Sequence, residues 1–120
     1  MENFSEEFKK RTKRFALWII KFYQTLPKTG EARIIGNQML RAGTSVAANY
    51  RAACRARSDK EFYSKICTVI EEADETQFWL ELLKESEIVS NSDLDALLDE
   101  AEEILKIMVS TRQKLKQKNK

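Results

Sequence analysis

Apolar residues recur at steps of three and four through four long runs of this chain, and that period constrains its fold more than any other feature. Phe8, Phe15, Ile19, Phe22 and Leu26 fall on one stripe of a helix running from about residue 5 to 26. Ile35, Met39, Ala42, Val46, Tyr50 and Ala53 do the same for a second helix over about 31–56. Phe62, Ile66, Val69, Ala73, Thr76, Leu80 and Leu83 keep a strict heptad seam over about 59–88. A fourth run, about 93–116, carries Leu94, Leu98, Ala101, Leu105, Met108 and Leu115, with Arg112 as its polar break.

The interruptions are short and have turn chemistry. Pro27-Lys28-Thr29-Gly30 contains the chain's one proline and one of its three glycines, while Ser90-Asn91-Ser92 offers Ser92 as an N-cap. Ser58-Asp59-Lys60-Glu61 fits a capping box in which each side chain answers the other residue's amide. Helices of about 35–40 Å joined by so few residues must lie antiparallel to their neighbours. The expectation is an all-α, up-down-up-down four-helix bundle in which all 120 residues form a single domain.

No stretch approaches the roughly 18 apolar residues of a membrane span, and the acidic, polar start does not read as a signal peptide, so a cytoplasmic protein is expected. Cys54 and Cys67 match no paired spacing and read as small buried hydrophobes. There is no histidine, the usual general base and a common metal ligand. Nor is there a glycine-rich phosphate loop or a catalytic triad, and Thr44 and Ser45 have no base to activate them. Neither an enzyme nor a cofactor is expected.

Phe15-Ala-Leu17, Leu26-Pro-Lys-Thr29 and above all Leu40-Arg-Ala-Gly-Thr-Ser-Val-Ala-Ala-Asn-Tyr-Arg-Ala-Ala-Cys-Arg-Ala-Arg-Ser58 resemble the family typified by proteins encoded in 23S rRNA intervening sequences. The likeness continues through Lys60-Glu-Phe62, Lys65 and Glu72-Ala-Asp-Glu75 to Trp79-Leu-Glu-Leu-Leu83, covering roughly residues 12–90. It implies a four-helix bundle assembled as a homopentameric ring. A similar protein, the accessory protein of diversity-generating retroelements, binds nucleic acid and a reverse transcriptase.

A second apolar stripe lies off the seams: Trp18, Tyr23, Leu40, Tyr63, Cys67, Ile70, Phe78, Trp79 and Leu82. One small bundle cannot bury them all, so self-association through Trp18, Leu40, Gly43 and Trp79 is expected, although both tryptophans could equally finish the core. Gly36 and Gly43, costly within a helix, imply a close backbone approach from the same chain or from a neighbouring subunit. The acidic group Glu71, Glu72, Asp74 and Glu75 reads as ion-pair partners for Arg41, Arg51 and Arg55 rather than as a metal site. Asn49 fixes register or bonds Asp74 or Glu75.

Charge is unevenly distributed. Residues 1–14 carry five basic and three acidic side chains, 51–65 five and two, and 106–120 six and none, a net +11 in a chain whose total is +2. Alternating helices bring these segments to one end. The expected nucleic-acid-binding set is Lys9, Lys10, Arg11, Lys13, Arg14, Arg51, Arg55, Arg57, Lys60, Arg112, Lys114 and Lys116. Two alternatives stand beside it: a scaffold that docks a protein partner with no nucleic-acid role, and a basic end that only solubilises.

Overall fold

The computed structural model describes residues 3–118. It is a bundle of four helices, α1 (Phe4–Tyr23), α2 (Gly30–Cys54), α3 (Asp59–Glu85) and α4 (Ser92–Lys118), measuring 48 × 24 × 21 Å. Each helix packs on the next, and α4 returns to α1 along a thinner seam that closes the ring. Cross-helix pairs fix the antiparallel order. Phe8 near the start of α1 meets Tyr50 near the end of α2 with ring centroids 4.9 Å apart, while Lys84 near the end of α3 pairs with Asp95 near the start of α4 at 2.8 Å.

Each boundary follows from a local bond. The Asn3 side chain accepts from the Glu6 amide, Thr29 from Ala32 and Ser58 from Glu61. The Ser58 box forms with one change: the Glu61 carboxylate accepts from the amide of Arg57, not of Ser58. α4 is capped by Asn91, whose Oδ1 accepts from the Leu94 amide at 2.8 Å, so Ser92 is the first helical residue rather than the cap. α3 stops three residues earlier than its apolar pattern suggests. There Ser86 bonds back to Leu82, Glu87 takes a left-handed φ of 62°, and the Val89 amide returns to the Leu83 carbonyl.

The seams of α1 to α3 are buried as the periodicity predicts, apart from the half-buried Ile35 and Phe62. That of α4 is rotated: Leu94, Leu97, Ala101, Ile104 and Met108 are inside, while Leu98 and Leu105 are only half-buried at its flank. Both adjacent pairs, Leu97/Leu98 and Ile104/Leu105, are apolar, so sequence alone leaves two stripes open. Packing on α3 and α1 selects the 94-97-101-104-108 one.

The two helical glycines face α1 of their own chain. A Cβ on Gly43 would lie 2.9 Å from Ile19 Cγ1, and one on Gly36 2.7 Å from Leu26 Cδ1. Gly43 is therefore a contact between α1 and α2, not a residue that an oligomer interface could use. Trp18, Leu40 and Trp79 pack partly on the core and keep part of their surface exposed. The Trp18 indole donates to Asp93 at 2.8 Å and the Trp79 indole to Glu75 at 3.2 Å.

Candidate nucleic-acid interface

The start of α1, the end of α2, the start of α3 and the end of α4 converge at one end of the bundle. A cleft there is lined from all four, by Phe4 and Ser5, Tyr50, Phe62, and Lys106, Ile107, Ser110, Thr111, Lys114 and Leu115 of α4. Over residues 3–14, 51–65 and 106–118 the net charge is again +11, so the described residues carry the whole excess. Opposite termini of neighbouring helices mix at each end and their dipoles largely cancel, which leaves the side chains to set the field.

The expected cationic set does not stand together as a whole. Arg11 is taken up within the fold: its Nε and Nη2 donate to the two carboxylate oxygens of Glu100 at 2.7 and 2.9 Å, with Glu103 at 3.9 Å. That hydrogen bond holds the guanidinium pKa above its ordinary value. A bidentate pair across the α1–α4 seam serves the bundle rather than a ligand. Lys13 and Arg14 lie about 14 Å along α1 from its first residue, so they border the basic end without forming it.

Lys9 pairs with Glu6 at 3.1 Å and Arg57 with Glu61 at 3.9 Å, both within their own helix or cap and each with one exposed and one half-buried partner. Such pairs exchange readily for another anion. Lys10, Arg51, Arg55, Lys60, Lys114 and Lys116 are exposed and, among the described residues, make no ion pair; Arg112 is half-buried. These residues, on all four helices and a connection, form the basic end.

Arg51 and Arg55 do not reach the acidic group on α3. Only Arg41 does, with Nη2 2.8 Å from Glu75 and Nη1 3.9 Å from Glu72. Glu72 Oε1 is buried without a hydrogen-bond partner, and burial raises its carboxyl pKa against the opposing effect of Arg41. Asn49 Nδ2 bonds the Ser45 carbonyl of its own helix at 2.9 Å and reaches neither Asp74 nor Glu75. The cysteines are half-buried, and burial pushes the Cys54 thiol up. No group of three metal-ligating side chains occurs among the described residues, and no described helix is long and apolar enough to cross a membrane.

The cleft itself is not legible in the sequence. Phe62 looks like a seam residue but is half-buried at the mouth, and Phe4 stacks on Phe8 at 5.4 Å while remaining 55% exposed. Tyr50 lies beneath, its hydroxyl pKa pushed up to about 12 mainly by burial. Phe4 is the one signal: an aromatic residue four positions before the first seam residue.

The model of the 23S rRNA-intervening sequence protein family matches residues 6–110. The chain belongs to that family. Among solved structures, this family member is similar to a protein of unknown function from the S23 ribosomal protein family of Bacteroides thetaiotaomicron VPI-5482. The two are 31% identical, the match covers 91% of this chain and 97% of the other, and the TM-score is 0.83. Among curated proteins none matches.

Proposed function

We propose that this family member is a non-enzymatic cytoplasmic protein that assembles as a closed homo-oligomer, a pentameric ring, and binds RNA or DNA phosphate through its basic end. The carrying observation is the net +11 of the three segments that meet at or border one end of a chain of net +2, with Lys10, Arg51, Arg55 and Lys60 left without acidic partners among the described residues. In a ring with all subunits pointing the same way these ends share one face, and weak phosphate contacts multiply by avidity. The family's description refers to 23S rRNA and the solved relative is ascribed to a ribosomal protein family, which puts nucleic acid first among partners to test.

The test is retention on RNA and DNA across a salt series. Each phosphate neutralised contributes about one unit to the slope of log affinity against log salt, so binding is expected to be steeply salt-dependent. Reversal of Arg51, Arg55 and Arg57 to Glu is expected to abolish retention with the oligomer intact, because all three side chains are exposed beyond most of the apolar seam. A parent that never binds at low salt, or a triple variant that binds like the parent, defeats the reading. The second reading, a ring that docks a protein partner, is favoured by exposed apolar side chains away from the basic end, chiefly Ile34, Leu17 and Phe78 at 67%, 53% and 49% exposure. Protein pull-down without nucleic-acid retention would select it.

A further inference from the structure

We infer that the cleft at the basic end receives an unpaired base of a single-stranded nucleic acid, with the flanking phosphates on Lys106 and Lys114. This rests on the phosphate-binding reading above. It follows from the cleft's own composition.

The cleft holds about 460 Å³, within the range of small-molecule sites and ample for one base. Its walls carry three aromatic rings, Phe4, Tyr50 and Phe62. Phe4 lies nearly parallel to Phe8, at 12°, and the exposed part of its ring leaves surface on which a further flat ring can stack. Bases stack on such rings whatever their sequence.

One side of the mouth is a single ridge of α4. Lys106, Ser110 and Lys114 recur at four-residue steps, which places the two lysines about 12 Å apart along the helix axis with a hydroxyl between them. Among the described residues no acidic side chain lines the cleft. Lys106 does pair with Glu102, at 3.5 Å, but on a helix surface where a phosphate can replace the carboxylate. Ser5 adds a hydroxyl that can bond a base edge, and the Thr111 hydroxyl, which donates to the Ile107 carbonyl at 2.9 Å, can still accept from a base amino group. Aromatic walls and a cationic rim thus complement the two halves of one nucleotide. In a duplex the base is already stacked and paired, so the cleft can take only a single strand.

The test uses an adenine-rich single strand carrying a fluorescent adenine analogue, and its duplex with the complementary strand, titrated into the full-length protein at low salt. The single strand is expected to bind more tightly, and the analogue's fluorescence to change on binding. Phe4→Ala is expected to weaken single-strand binding by about 5- to 100-fold while leaving the duplex affinity unchanged. Phe4 is exposed, so helix content and melting temperature should hold. Phe62→Leu, which keeps apolar bulk and removes a ring, should act in the same direction. Equal affinity for both forms, or equal loss on both, overturns the cleft assignment while the basic-end reading stands. Absence of binding to either form removes both.

Discussion

At Gly43 and Gly36 the same substitution has opposite consequences. An alanine at 43 drives its Cβ into Cγ1, Cγ2 and Cβ of Ile19, atoms close to the backbone of α1 that cannot swing aside. Overpacking of that kind costs about 1–3 kcal/mol, against about 1 kcal/mol returned by helix propensity. At 36 the nearest atom is Leu26 Cδ1, the far end of a flexible side chain in a connection. Gly43→Ala is therefore expected to lower stability by up to about 2 kcal/mol in urea unfolding, and Gly36→Ala to leave it unchanged or raise it by up to about 1 kcal/mol. Glu72 makes a second residue-scale prediction. Its folded pKa is raised, so the folded state binds the proton more tightly than the unfolded chain and stability falls as pH rises through that window. Glu72→Gln should stabilise at neutral pH, and the gain should fade as pH drops below the folded pKa towards the ordinary Glu value, read from unfolding midpoints across pH.

Among the elements, α4 tells most about how packing chooses between equivalent patterns. Leu97 is fully buried and Leu98 half-buried, although nothing in their chemistry separates them. Leu97→Ala is expected to cost about 2–5 kcal/mol and Leu98→Ala clearly less, by the same unfolding measurement; equal costs would restore the stripe through 98 and 105. The α1–α4 seam is the thinner side of the bundle, and there Arg11–Glu100 and Trp18–Asp93 supply polar links.

For the whole molecule, the remaining question is what covers the outer apolar surface of α3. Phe78 is 49% exposed, with its ring edge-on to Trp79 at 5.0 Å, and Trp79 continues inward to the core. In a ring this pair would be an anchor, since tryptophan and its surrounding apolar contacts dominate interface energies. Phe78→Asp is expected to shift light-scattering mass to the monomer while helix content is retained. An unchanged oligomer would place the interface elsewhere.

Periodicity and turn chemistry determined four helices, their order and most of the large inward residues of α1 to α3, because a three-four repeat leaves one stripe to bury and short connections leave one direction to run. The gathering of basic segments at one end follows from that alternation. Tertiary packing decided the rest. It chose Leu97 and Ile104 over their apolar neighbours, assigned the glycines to α1, and took Arg11 out of the cationic face by setting Glu100 opposite it. It also opened a cleft between Phe4, Phe62 and α4. Each depends on distances between helices, and a one-dimensional repeat records the angle of each helix about its own axis but not the separation of one helix from the next.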